Sequence, residues 1–310
     1  MRLSIYLVIL LIVIFWYAIV PICGGFFIRY KWRKFRTRFN YLRLSPLLDY
    51  RQYRQLDEKA DIFRFTGNME SITDGYTLWV RGDDLTIPVS LKKTKCFLLP
   101  VHEEDRRQRQ FPEAPEQIRW NRVSTLTEGS KVFIGGQLKL QDNRPIFVST
   151  KEQPLMVIFY NCPETELTSA IISAARTKNE YWNNITPISI AIGALILIYI
   201  AASFLGRPAF HLTVICALAA VFIPILPIFP PGFLFTSLYR RLTWNARKLR
   251  ANWDLARFGL LPGSTKRLAR YFAVRAYALE FFAWILILLG ITLNLIFIFM
   301  ILFLFQVISF

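Results

Sequence analysis

Four stretches of the chain contain no Asp, Glu, Lys, Arg or His: Leu3 to Ile28, Ile185 to Gly206, Leu212 to Tyr239 and Phe281 to Phe310. A helix of roughly 20 apolar residues crosses the hydrocarbon core of a bilayer, so each stretch is long enough. The pattern predicts a multi-pass α-helical membrane protein with segments over residues 1–28, 185–206, 210–231 and 276–310. The first reads as an uncleaved signal anchor. Ile22 is bulky where a cut needs a small residue, and the apolar run is long and holds Trp16 and Tyr17.

The third segment departs from a plain helix. Its end, FIPILPIFPPG, carries Pro224, Pro227, Pro230 and Pro231. Each proline removes a backbone donor and clashes with the turn before it. The reading is helix from Phe210 to Phe222, then a kink or break. Open backbone must be buried in protein or lie at the interface, because lipid cannot satisfy it. A helix that ends near the headgroups fits this pattern, and so does a broken helix at a transport site.

Residues 61–162, between the first two segments, follow a different period. KVFIGGQLKLQDNRPIFV (131–148) alternates apolar and polar, turns at Asp142 and Asn143, and alternates again. FRFTGNMESITDGYTLWV (63–80) aligns with it without gaps, placing Phe65 on Phe133, Gly67 on Gly135, Leu78 on Ile146 and Val80 on Val148. Its turn is Asp74 and Gly75, residues that tolerate positive φ in tight hairpins. The two glycines predict a bulge or bend in each first strand. The match fits either a duplication or convergent hairpin chemistry. DLTIPVSL and CFLLPV read as further strands, and PLMVIFY (154–160) as a strand buried on both faces. Short strands with turn signals predict a small all-β domain, an OB-like barrel, inserted between the membrane segments. Residues 163–184 read as a linker helix with Leu167, Ile171 and Ala175 on one face, ending in the interfacial aromatics Tyr181 and Trp182.

Charge orients this frame. Hydrophobic residues are 54% of the chain, charged residues 19%, and the net charge is +17. The juxtamembrane region 29–60 holds ten Lys/Arg against three acids, and Arg240 to Arg275 holds ten against one, whereas Asp61 to Glu180 is neutral. Basic residues beside membrane ends stay on the cytoplasmic side. Both termini are therefore expected outside, with the β domain and residues 236–275 cytoplasmic; in a bacterium the membrane is the inner one. Residues 232–275 read as basic amphipathic helices with a stripe of Leu238, Leu242, Ala246, Leu249 and Trp253, broken at LLPGSTK with Ser264 or Thr265 as cap. The second helix is expected to run unbroken into the fourth segment. Anionic lipid headgroups are the expected contacts of Arg29, Lys31, Trp32, Arg33, Lys34, Arg36, Arg38, Arg240, Arg241, Arg247, Lys248 and Arg250.

The β domain, with GSKVFIGGQL followed by RPIFVST, resembles the GIDE-type module of membrane-anchored RING ubiquitin ligases. Its layout is also similar to the small OB domains of the NfeD group, over residues 60 to 205. A RING needs about eight paired Cys/His ligands. Four scattered cysteines and two histidines stand here, so the resemblance implies a docking module and not ligase activity.

Other chemistry is weakly signalled. Cys23, Cys96, Cys162 and Cys216 have no CxxC partners, and no HExxH, GxSxG or GxxxxGK[ST] occurs. HEED (102–105) offers carboxylates and an imidazole, but in a polar loop. No cofactor, metal or nucleic-acid partner is expected, since a neutral barrel lacks the basic groove that single strands need. The expectation is a non-enzymatic scaffold or adaptor that binds another protein through the β domain. The alternatives are a transporter, channel or lipid-handling protein using the third segment, and an enzyme whose site is not advertised.

Overall fold

The computed structural model describes residues 2–54, 61–92, 94–99, 115–141, 144–176, 181–226, 230, 232–261 and 263–304. The chain divides into two units, Met1–Lys31 with Asn179–Phe310, and Trp32–Lys178. The first is helical and the second is built on a β barrel.

In the helical unit, α1 (Arg2–Ile14) passes through a π-helical turn at Phe15–Ile19 into α2 (Val20–Leu44), whose later part belongs to the other unit. Among the described residues three helices are long and apolar enough to cross a membrane: Ser4–Leu44, Ile185–Phe204 and Lys266–Met300. Their outward faces carry exposed Leu, Ile and Phe throughout, so the protein is membrane-associated.

In the barrel unit, α3 (Tyr50–Arg54) precedes strands β1 (Ile62–Thr73), β2 (Thr77–Arg81), β3 (Thr86–Ser90), β4 (Lys95–Leu98), β5 (Glu116–Ile118), β6 (Lys131–Gln141), β7 (Arg144–Val148) and β8 (Met156–Tyr160). The order β1-β2-β3-β7-β6 closes through β1–β6 into a five-stranded barrel. All its pairs are antiparallel except β3–β7. This is the OB-like barrel that the alternation predicts. Beyond it, β6 also pairs with β8, β8 runs parallel to β4, and β5 forms the edge. Every residue of β8 is buried, as its continuous apolar run requires.

The two glycines serve different ends. β1 pairs with β6 as far as Asn68 and with β2 from Asn68 onward, with a bulge between Met69 and Ser71. Gly67 sits at this switch, where an added Cβ would collide with the Arg81 carbonyl. Gly135 instead makes room for α2: a Cβ there would lie 2.9 Å from Leu42 Cβ.

The gapless alignment of the hairpins does not survive. Phe65, Leu78 and Val80 point into the barrel core, together with Val132, Ile134 and Phe147. Phe133 points the other way, against Phe39 of α2 with ring centroids 5.3 Å apart. Ile146 and Val148 are likewise turned out of the core. The aligned positions face opposite sides, and a one-residue slip has that effect on every side chain of a strand. The likeness is shared hairpin chemistry rather than equivalent structure.

Trp32, Phe35, Phe39 and Leu42 form the buried face of α2. Phe35 stacks on Phe97 of β4 at 4.6 Å. After β8, α4 (Glu164–Ala174) buries Leu167 and Ile171, with Ala175 just beyond its end. Arg36 Nη1 donates to the Ala175 carbonyl at 3.3 Å, so the two ends of the inserted domain are tied together.

The remaining helices are α5 (Ile185–Phe204), α6 (His211–Val221), α7 (Gly232–Arg257) and α8 (Lys266–Leu304). Helix α6 packs on α5 and α1, and α7 packs along α8. Thr265 caps α8 by accepting from the Leu268 amide at 3.2 Å, and α8 runs unbroken from the basic loop into the fourth apolar block.

Candidate functional site

In an α-helix the N–H of residue i+4 bonds the carbonyl of residue i, so each proline orphans the carbonyl four residues before it. By sequence, counting back four from Pro224, Pro227 and Pro230 names the carbonyls of Ala220, Ile223 and Leu226. The first two are taken by a tighter turn: Ile223 N–H donates to Ala220 and Leu226 N–H to Ile223, both at 3.3 Å. The third is taken from another helix. Asn294 of α8 donates its side-chain amide to the Leu226 carbonyl. Asn294 is only 2% exposed, a polar side chain inside the apolar block that begins at Phe281.

The described part of the third segment is a short helix that ends in turns. Helix α6 has 11 residues, a rise of about 16 Å, which is too short to cross the hydrocarbon core alone. It ends in turns through Phe222 to Leu226, and the chain resumes as α7 at Gly232. Pro224 and Pro230 lie in turns; Pro227 and Pro231 lie outside the described residues. Across α7 and α8, Gly290 meets Phe235, with a Cβ site 3.0 Å from Phe235 Cβ. Tyr239 and Trp284 are edge to face at 6.3 Å.

The first segment repeats the device. Pro21 orphans the Tyr17 carbonyl, and the Tyr181 hydroxyl donates to it at 2.8 Å. In the π turn, Val20 N–H reaches back to the Phe15 carbonyl, and the hydroxyl of Ser189 donates to the Trp16 carbonyl. Asn183 Nδ2 donates to the Pro21 carbonyl at 3.1 Å. Gly193 lets the helices approach, since its Cβ site is 2.7 Å from the Tyr17 ring. Small and polar residues at a helix crossing, bonding across it, are the usual glue of membrane helices.

The basic residues divide. Arg29, Lys31, Arg33, Lys34, Arg240, Arg241 and Lys248 are exposed, and Arg38 and Arg247 are half-buried. Three expected headgroup contacts are corrected. Trp32 is 8% exposed, packed beside Phe35 and Phe97. Arg36 is buried in its bond to Ala175. Arg250 is buried in an ion pair with Glu280 of α8, its guanidinium 5.1 Å from the Tyr277 ring centroid. On the α7 stripe, Ala246 is buried and Leu238 exposed, while Asp254, which the pattern turns outward, is buried.

At the first hairpin turn Asp74 and Gly75 adopt φ of 54° and 71°, the left-handed conformation expected of them. Asp142 and Asn143 of the second turn, and His102 to Asp105, lie outside the described residues. All four cysteines are free thiols. Burial pushes the Cys96 thiol up to about 12 and raises Tyr160, helped by the nearby Glu164 and Cys162. Among the described residues no three His, Cys, Asp or Glu gather as a metal site would need.

Sequence reading missed Asn294, Tyr181, Asn183 and Ser189 as structural donors. The signal was present in part: counting back four from Pro21 and Pro230 names the orphaned carbonyls. Neither a protein-family model nor a curated protein matches this chain significantly.

Proposed function

We propose that the protein is an integral membrane scaffold that presents its barrel at the cytoplasmic surface to bind another protein. The observation that carries this is the outer wall of β2, β3 and β7. Leu78, Val80, Ile87, Val89 and Phe147 fill the barrel core, so alternation turns Trp79, Ile146 and Val148 outward, each half-buried, around a buried Pro88. Trp79 pairs across strands with Pro88, and Tyr76 beside them is 41% exposed. A half-buried aromatic and aliphatic patch beside the exposed Tyr76 suits protein recognition.

The orientation in this reading rests on charge. The exposed cations beside the membrane segments favour the cytoplasmic leaflet and its anionic lipids. Arg29 lies over Phe26 at 5.8 Å and Lys248 over Trp244 at 5.7 Å, cation and ring pairs suited to headgroup level.

The test is purification of the full-length protein in mild detergent, with mass spectrometry of what accompanies it. A stoichiometric protein partner that the Trp79→Glu variant loses supports the scaffold. Recovery of lipid alone, or a partner that Trp79→Glu retains, refutes docking on this wall. The interrupted third segment favours a second reading as a transporter, channel or lipid-handling protein. Flux in proteoliposomes that Pro224→Ala abolishes would support it.

A further inference from the structure

The proposed scaffold leaves one charged cluster unused, where α2 ends against β1. Arg43 stands in the last turn of α2. Arg64 is on β1 between Phe63 and Phe65, which both point into the barrel core, so Arg64 points out of it. Its backbone is fixed: Arg64 N–H donates to Pro46 at 3.0 Å, and Leu48 N–H donates to the Arg64 carbonyl at 2.9 Å. Its side chain is fixed too, since Arg64 Nη1 donates to the Arg43 carbonyl at 2.8 Å, capping the helix.

This cap sets the Arg64 guanidinium against the Arg43 backbone, near enough for its charge to act on the Arg43 side chain. The Nε atoms of Arg43 and Arg64 are both buried without an acceptor, and among the described residues no carboxylate pairs with either guanidinium. Burial first, and the charge of Arg64 second, work against the Arg43 cation. Two partly desolvated like charges are unfavourable unless an opposite charge joins them. The side chain of Asn40, one turn earlier on α2, is no counter-ion.

We propose that Arg43 and Arg64 bind a phosphate-class oxyanion. The held guanidinium of Arg64 and the neighbouring one of Arg43 match a phosphate dianion in charge, and planar N–H groups suit its oxygens. A single carboxylate would neutralise only half the cluster. The phosphate belongs either to a soluble phosphate or to a lipid headgroup, and the experiment separates these.

The full-length protein is reconstituted in phosphatidylcholine nanodiscs, and its thermal midpoint is followed while sodium phosphate replaces chloride at constant ionic strength. A saturable rise is expected in the wild type and its loss in Arg43→Gln, with a reduced response in Arg43→Lys, which keeps the charge but not the fork. A second arm replaces inorganic phosphate by phosphatidic acid in the disc. A rise confined to that arm, and lost in Arg43→Gln, assigns the site to a headgroup. If Arg43→Gln does not fold, the comparison rests on Arg43→Lys, and an undiminished response there overturns the proposal. It is equally overturned if Arg43→Gln responds like the wild type, or if neither phosphate source moves the wild-type midpoint beyond chloride.

Discussion

The hydroxyl of Tyr181 donates to the carbonyl of Tyr17 at 2.8 Å, and Tyr17 is the residue whose helical donor would have been Pro21. Removing the hydroxyl leaves that carbonyl open in an apolar setting. Tyr181→Phe is therefore expected to destabilise the helical unit by about 0.5–1.5 kcal/mol. Pro21→Ala restores an N–H to the helix, so Tyr181→Phe should cost less in that background. Unfolding of the four proteins in one detergent checks this, and strict additivity of the two changes would contradict it.

Asn294 fills the same office for Leu226. Asn294→Leu is expected to lose about 1–2 kcal/mol despite the gain in hydrophobicity, because the orphaned carbonyl stays behind. Thr292 is the control. It is exposed on the same helix and bonds its own Leu288 carbonyl at 2.9 Å, so Thr292→Val should shift the thermal midpoint little.

Gly67 and Gly75 should respond unequally to alanine. At Gly75 nothing lies within 4 Å of the new Cβ, and only the φ of 71° resists. That costs about 1–2 kcal/mol. At Gly67 the methyl meets the Arg81 backbone, which has to move, and strand pairing at the β1–β2 switch moves with it. Gly67→Ala should therefore be the more damaging variant, by about 1–3 kcal/mol. Denaturant titration of the pair gives the order.

Alkaline pH should loosen the barrel. The buried Cys96 thiol has its pKa pushed up to about 12 from 9.0. A pKa raised on folding contributes stability that is complete below the unfolded value and fades as pH climbs through the folded one. The loss for Cys96 thus falls between pH 9 and about 12, with a slope approaching about 1.4 kcal/mol per pH unit. Tyr160 shifts in the same direction. Unfolding measured against pH should show a shallower decline for Cys96→Val than for the wild type. At pH 8 the native protein should leave the buried Cys96 untouched by a thiol reagent, and the unfolded protein should take it up there.

Periodicity made several elements legible because a single element sufficed to decide them. The run PLMVIFY announced a strand covered on both faces, and β8 is one. Ser264 or Thr265 before a long periodic run announced a capped helix, and Thr265 caps α8. Where two elements had to be known together, the sequence misled. The run RYKWRKFRTRF reads as a headgroup belt because its charges dominate. Yet Trp32, Phe35, Phe39 and Leu42 recur at helical spacing, and they pack on a sheet that comes later in the chain. The twin hairpins matched by letter while their side chains faced opposite ways. The proline positions named the open carbonyls, but the donors at Tyr181 and Asn294 belong to helices whose approach only the folded chain defines.

That last point bears on synthesis. The donor for Tyr17 lies 164 residues further along. At a ribosomal pace of about 5–20 residues per second, the wait is on the order of ten to thirty seconds. Throughout that interval the first segment carries an unfilled acceptor that hydrocarbon penalises. The nascent segment should therefore linger beside water or the insertion machinery until Tyr181 arrives. The hydrogen bond across 164 residues thus links the settling of the first helix to the synthesis of the segment that carries Tyr181.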